Sequence, residues 1–169
     1  MNNDLVIADA GPLIALARIG QFHLFRDLYD EIWIPPAVLS ELRLDTQRPR
    51  VAFLQQALTA GWLRVAAVRG RGDELASLKR LLDAGEAEAM LLAEQMNARF
   101  LIIDDRKGRM IARRRGIPVV GLAGVLLAAK TRGLLPQVGP ALAALAVQGY
   151  RLSNNLIMKI IQLAGESAE

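Results

Sequence analysis

Phe100-Leu101-Ile102-Ile103-Asp104-Asp105 is a short apolar run that ends on two carboxylates, and a strongly basic stretch from Lys107 to Arg115 follows at once. The run has the length of a strand, and no polar residue alternates with its apolar ones, which is the pattern of a strand covered on both faces. The basic stretch reads as a helix. A strand that passes directly into a helix is the repeating unit of a parallel sheet, because the chain must cross over before it can pair in the same direction again.

The same unit recurs on both sides. Upstream, Leu5-Val6-Ile7-Ala8 is a strand that stops at Asp9, and Gly11-Pro12 opens a helix, with proline suited to the first turn. Glu31-Ile32-Trp33-Ile34 is a second strand, stopped by Pro35-Pro36, and Val38, Leu39 and Leu42 mark a short helix that carries Glu41. A longer helical pattern at Val51, Leu54, Ala57 and Leu58 closes at Gly61. Trp62 to Val68 reads as a third strand, Arg69-Gly70-Arg71-Gly72 as a flexible connection, and Leu75 to Leu82 as a helix. A further helix from Glu86 to about Met96 leads into the strand at Phe100. Downstream, Ile117-Pro118-Val119-Val120 is a fifth strand. After Gly121 the pattern is helical, with breaks at Gly133, Pro136, Gly139-Pro140 and Gly149. The expectation is an α/β protein with a mainly parallel sheet of about five strands and helices on both faces. Residues 1–169 form one domain in this reading, and residues 150–169 form a C-terminal helical tail, amphipathic from Leu152 to Gly165.

Composition narrows the chemistry. Of 169 residues, 53% are hydrophobic and 22% charged, a globular balance, while aromatics at 5% leave the core to aliphatic side chains. The chain has no cysteine, which excludes disulfides, thiolate metal sites and cysteine nucleophiles. It has one histidine, His23, which excludes a mechanism built on paired histidines and is expected to be structural. No P-loop lysine motif is present, which argues against an ATPase. The N-terminus lacks the pattern of a signal peptide, and the longest apolar stretch, Val119 to Ala129, is well short of the roughly 18–20 residues of a membrane span. The expected location is the cytoplasm. The formal net charge is +4. Between Arg99 and Arg132 lie Arg99, Arg106, Lys107, Arg109, Arg113, Arg114, Arg115, Lys130 and Arg132, opposed only by Asp104 and Asp105, a distribution that suits a polyphosphate as well as a solvated helix face.

The carboxylates are placed by the strands. In an open parallel sheet, ligands bind just beyond the carboxyl ends of the strands. Asp9 directly follows the first strand there, Asp104 and Asp105 follow the fourth, Glu41 lies one helical turn past the second, and Glu86 opens the helix before the fourth. Gathered in one place they repel one another unless cations lie between them, and such oxygen ligands suit Mg²⁺ or Mn²⁺. Each acid also has a plainer role open to it. Asp9 suits a helix N-cap, Glu41 a surface pair with Arg43, and Asp83-Ala84-Gly85-Glu86 has the spacing of a capping box. Glu88, two positions after Glu86, belongs to another face of that helix and is expected toward solvent, although it stays a candidate ligand. Asp104 and Asp105 alternate along the strand direction, and Asp104 is the first choice for the site.

Four segments carry a resemblance: Val6-Ile7-Ala8-Asp9, Pro35-Pro36-Ala37-Val38-Leu39-Ser40-Glu41-Leu42, Gly85-Glu86-Ala87-Glu88-Ala89 and Leu101-Ile102-Ile103-Asp104-Asp105. In this order and spacing the chain resembles a PIN domain over nearly its whole length. It is most similar to the short bacterial and archaeal PIN-like proteins of unknown function, in which Leu82 to Ala89 and Gly149-Tyr150-Arg151-Leu152-Ser153 also find a likeness. The resemblance implies a three-layer α/β/α sandwich and a metal-dependent nuclease site. Carried over by position, the acidic quartet is Asp9, Glu41, Glu86 and Asp104, with Asp105 and Glu88 as further candidate metal ligands. Many members are toxins of toxin–antitoxin pairs that act on RNA, often as homodimers held inactive by a small antitoxin protein. Two positions depart from the family pattern: Ala10 stands where Ser or Thr often follows the first Asp, and Ile102 where Thr or Ser often precedes the fourth-strand acid.

The expected activity is hydrolysis of RNA phosphodiester bonds with Mg²⁺ or Mn²⁺ as cofactor, and Arg106, Lys107 and Arg109 are expected to hold flanking phosphates. The competing reading is a degenerate PIN-like domain that binds RNA or protein without cutting. A phosphoacceptor receiver domain fits poorly, because its acidic pair follows the first strand and a lysine follows the fifth, where this chain has Gly121-Leu122-Ala123.

Overall fold

The structure is a computed structural model and describes residues 4–167. Five short strands, β1 (Val6–Ala8), β2 (Ile32–Ile34), β3 (Leu63–Val65), β4 (Phe100–Ile102) and β5 (Val119–Val120), form one sheet in the order β3-β2-β1-β4-β5. Every pairing is parallel, with Ile7 beside both Trp33 and Leu101. β1 and β4 are central and their side chains are almost wholly buried, which explains their unbroken apolar character. β3 is an edge strand and only Leu63 of it is buried. The chain leaves β1 toward one edge through β2 and β3, then returns to β4 on the other side of β1. That reversal creates a crevice above the β1–β4 boundary.

Among the described residues ten helices flank the sheet: α1 (Ala10–Arg18), α2 (His23–Tyr29), α3 (Pro36–Glu41), α4 (Pro49–Ala60), α5 (Gly72–Lys79), α6 (Ala84–Gln95), α7 (Arg106–Arg114), α8 (Leu122–Thr131), α9 (Gly139–Val147) and α10 (Asn154–Leu163). This is the three-layer α/β/α arrangement with a parallel sheet of five strands that the sequence pattern predicts. The glycine stop also holds: Gly61 ends α4 in the left-handed conformation, φ 84°.

Several boundaries differ from the sequence reading. The third strand covers three residues of the run from Trp62 to Val68, because β2, on which it pairs, ends at Ile34 opposite Val65. α5 begins at Gly72 rather than Leu75, its first turn carrying Asp73 and Glu74, which favour a helix N-terminus. Gly139-Pro140 does not break a helix but starts α9, with proline in the first turn, where its missing N–H costs nothing. The C-terminal segment packs back on the domain through α10 against α8. Ile160 is buried there, while Met158 and Leu163 stay exposed. Glu166 fastens its end, accepting from Lys130 Nζ at 2.7 Å and from the Val138 and Gly139 amides at 2.6 and 2.9 Å. Among the described residues no helix is long and apolar enough to cross a membrane.

Candidate metal centre and adjoining arginine groove

Asp9 follows β1 at the crevice, and its amide donates to the Ile102 carbonyl at 2.9 Å, which carries the β1–β4 pairing one residue beyond the strands. Its backbone stands at the N-cap of α1, yet its side chain makes no capping bond. Asp9 is 8% exposed, and its Oδ1 is buried with no hydrogen-bond partner. The N-cap role that the sequence leaves open is therefore not what this side chain does. Burial pushes its pKa up to about 7; the Ala10 amide pulls the other way, and Glu86, Asp83 and Glu41 add to the rise.

Glu41 reaches the same place from the last residue of α3. Its Oε1 accepts from the Gly85 amide at 3.1 Å, tying α3 to the start of α6. Gly85 must be glycine for this: a Cβ there would stand 2.8 Å from the Glu41 Cδ and closer still to Oε1. Burial raises the Glu41 pKa, and Asp83 and Glu88 raise it further against the Gly85 amide. Among the described residues, Asp9, Glu41 and Asp83 offer carboxylate oxygens that all lie within 4.8 Å of one another.

Asp83 is a residue that sequence reasoning placed only as a helix cap. It does cap α6, accepting from the Glu86 amide at 2.8 Å, and Glu86 reaches back to the Asp83 amide at 3.2 Å to complete the capping box. The cap uses one oxygen of each carboxylate, which leaves the other free for the cavity. The spacing of the box was visible in the sequence, but its nearness to Asp9 depends on how α6 docks. Glu86 is half-buried, and burial, with Asp83 and Asp105 behind it, pushes its pKa up to about 7.

Asp9, Glu41, Asp83, Glu86, Asp104 and Asp105 line one open cavity of about 480 Å³. Asp104 accepts from the Leu122 amide at 3.0 Å, and its Oδ2 also accepts from the Tyr150 hydroxyl. Asp105 is exposed and caps α7, accepting from the Gly108 amide at 2.7 Å. Glu88 is neither a solvent-facing residue nor part of this lining. It is half-buried and accepts from the Ala37 amide at 2.9 Å, so it satisfies the open N-terminus of α3, where Pro35 and Pro36 offer no side-chain cap. The hydroxyl in the cavity comes from Tyr150, which the sequence signalled only through the Gly149–Ser153 likeness.

A groove of about 760 Å³ continues from Asp104, and Arg106, Arg109, Arg113 and Arg151 line it. Arg151 borders both spaces. Arg109 also donates to the Ile103 carbonyl at 3.0 Å and lies over Gly121, where a Cβ would come 2.7 Å from its Nη1. Lys107 is exposed on α7 outside this lining. Of the other cations in the basic stretch, Arg115 pairs with Glu94 and Glu74, Lys130 with Glu166, Arg132 donates to the Leu28 carbonyl, Arg99 lies over the Phe100 ring, and Arg114 is exposed on α7 outside the lining. His23 opens α2 on the surface, outside the acidic cavity.

The donor set fits a hard divalent cation. All its atoms are carboxylate oxygens, several are buried enough to resist ionisation, and one buried oxygen of Asp9 has no partner in the protein.

A comparison with curated proteins gives no match. The family model described as a PIN domain matches residues 5–166. That span holds every strand and every carboxylate of the cavity, and the chain belongs to the PIN-domain family.

Proposed function

We propose that this protein is a divalent-metal-dependent endoribonuclease. The observation that carries the reading is the partnerless, buried Oδ1 of Asp9 inside a cavity of carboxylates that opens into an arginine-lined groove. Asp9, Glu41 and Asp83 would hold Mg²⁺ or Mn²⁺, with Glu86, Asp104 and Asp105 at the rim, directly or through waters. Such an ion supplies an activated water and neutralises charge gathering on a phosphodiester. The chain's own part is to hold the acids at fixed positions: Gly85 fixes Glu41, the capping box fixes Asp83 and Glu86, and Leu122 with Tyr150 fixes Asp104. Arg106, Arg109, Arg113 and Arg151 would take phosphates on one side of the cut. Contacts of that kind position a strand without reading its bases.

A role as the toxin of a toxin–antitoxin pair, acting as a homodimer and restrained by a small antitoxin, belongs to the same reading and rests on the family. The second reading, a binding module that does not cut, is favoured by one feature: Asp104 is already engaged by two donors, which lowers its value as a ligand.

The test is incubation of the purified protein with single-stranded and structured RNA, in Mn²⁺, in Mg²⁺ and in EDTA, beside Asp9→Asn. Ion-dependent cleavage that disappears in the variant supports the nuclease. Equal inertness of folded wild type and variant in every condition leaves the binding module.

A further inference from the structure

A second unpaired charge lies away from the acidic cavity. Arg50 sits in the first turn of α4 and is 5% exposed, yet its Nε and Nη1 are buried without a hydrogen-bond partner. Among the described residues no carboxylate stands within ion-pair distance of it. The charged groups that act on it are Arg18, Arg48 and Arg43, all cations, and with burial they pull its pKa down. Arginine does not lose its proton in proteins, so the charge stays. A buried guanidinium without a counter-charge is strongly destabilising.

The side chain lines an open cavity of about 460 Å³ together with Arg18, Arg48, Phe53 and Gln148. No side chain caps α4, so the positive end of its dipole adds to the same space. We propose that this cavity is a phosphate-binding site in which the Arg50 guanidinium turns toward the opening, so that its now-buried donors reach phosphate oxygens, and Arg18 and Arg48 close over them from the surface.

A phosphate suits the site better than a carboxylate does. Three guanidinium groups around one space call for more than one negative charge, and phosphate offers more acceptor oxygens to planar donors. Phe53, 46% exposed at the edge of the cavity, adds a surface on which a base stacks. Both sites lie along α1, a helix about 14 Å long: Ala10 to Pro12 and Ile14 line the acidic cavity, and Ala17 and Arg18 line this one. The phosphate is either one in a polynucleotide that runs past the acidic cavity or a free phosphate or nucleotide.

The test is thermal unfolding of the full chain in EDTA, in phosphate and in chloride at matched ionic strength, for wild type and Arg50→Met. The expected result is a higher Tm for wild type in phosphate, no such response in Arg50→Met, and a Tm of the variant in chloride equal to or above that of wild type. Arg18→Gln with Arg48→Gln, both on exposed residues, serves as a second variant if the first does not fold, and it should lose most of the phosphate response. An equal Tm of wild type in phosphate and chloride overturns the site, as does a full response in either variant. An equal response to acetate also overturns it, in favour of a carboxylate. Two further arms distinguish the source, both read as loss on Arg50→Met: a nucleoside 5′-monophosphate and a 2′-O-methyl RNA that resists cleavage. Tighter binding of the oligomer assigns the site to a polynucleotide, and equal binding per phosphate assigns it to the free anion. Cleavage enters none of these readouts, so the result stands apart from the nuclease reading.

Discussion

The hydroxyl of Tyr150 donates to Oδ2 of Asp104, joining the segment between α9 and α10 to the end of β4 across 46 positions of chain. The same carboxylate accepts from the Leu122 amide, so Asp104 is held from two directions and the C-terminal segment forms part of the acidic cavity.

Tyr150→Phe removes one donor and leaves the ring packed. Asp104 keeps its Leu122 contact, so the fold should survive, while the carboxylate gains freedom to rotate. The expected outcome is a fall of about tenfold in cleavage rate, the worth of a lost hydrogen bond of roughly 1.4 kcal/mol. Single-turnover kinetics at saturating Mn²⁺ would show it. An unchanged rate would mean that Asp104 is positioned by Leu122 alone.

Gly85→Ala places a Cβ where the Glu41 carboxylate now lies. Alanine favours α6 as a helix, so secondary structure should be retained or slightly strengthened. Divalent-ion affinity should nevertheless fall by at least an order of magnitude, because Glu41 must turn away from Asp9 and Asp83. Circular dichroism together with Mn²⁺ titration separates the two effects, and retained affinity would remove Glu41 from the ligand set.

Asp83 has two roles that substitution can divide. Asn caps a helix about as well as Asp does, so Asp83→Asn should leave stability within roughly 0.5 kcal/mol, whereas Asp83→Ala costs about 1 kcal/mol through the lost cap. Both should weaken ion binding alike, since both remove the carboxylate. If Asp83→Asn binds Mn²⁺ as wild type does, Asp83 is a cap and nothing more.

The raised pKa values fix the sign of a pH effect. Asp9 and Glu86 titrate at about 7 in the folded protein, against 3.8 and 4.5 as their ordinary values. Between those limits the folded state holds more protons than the unfolded one, so stability in EDTA falls as pH rises from about 5 to about 7 and levels off above. Glu74 and Glu166, held down to about 2 by Arg71 and Lys130, lose their contribution only at lower pH and do not mask the trend. Saturating Mn²⁺ should raise Tm most at the upper end of the window. A Tm in EDTA that climbs from pH 5 to pH 7 contradicts the burial of these carboxylates.

Much of this architecture was legible in the sequence. Apolar runs at Val6 and Leu101 with no polar alternation indicated central parallel strands, and carboxylates directly after both runs fell at the crevice. The capping box at Asp83 and Glu86 was legible too, because capping is local and spacing alone specifies it. The rest depends on contacts between distant segments. That Asp83 lies beside Asp9 follows from α6 docking on α3, and that Glu88 serves α3 requires knowing that Ala37 is its neighbour. Tyr150 arrives from the far end of the chain, and no periodicity marks a tyrosine whose partner is 46 residues away. Of the basic stretch, the sequence could not separate Arg113, which lines the groove, from Arg115, which an ion pair with Glu94 absorbs.

The most direct test of the acidic cavity is a crystal of the protein soaked in Mn²⁺, with anomalous scattering recorded near the manganese edge. A peak bounded by Asp9, Glu41 and Asp83, absent from Asp9→Asn, is the predicted result. A cavity without a peak at millimolar Mn²⁺, or a peak only at sites away from Asp9, would contradict it.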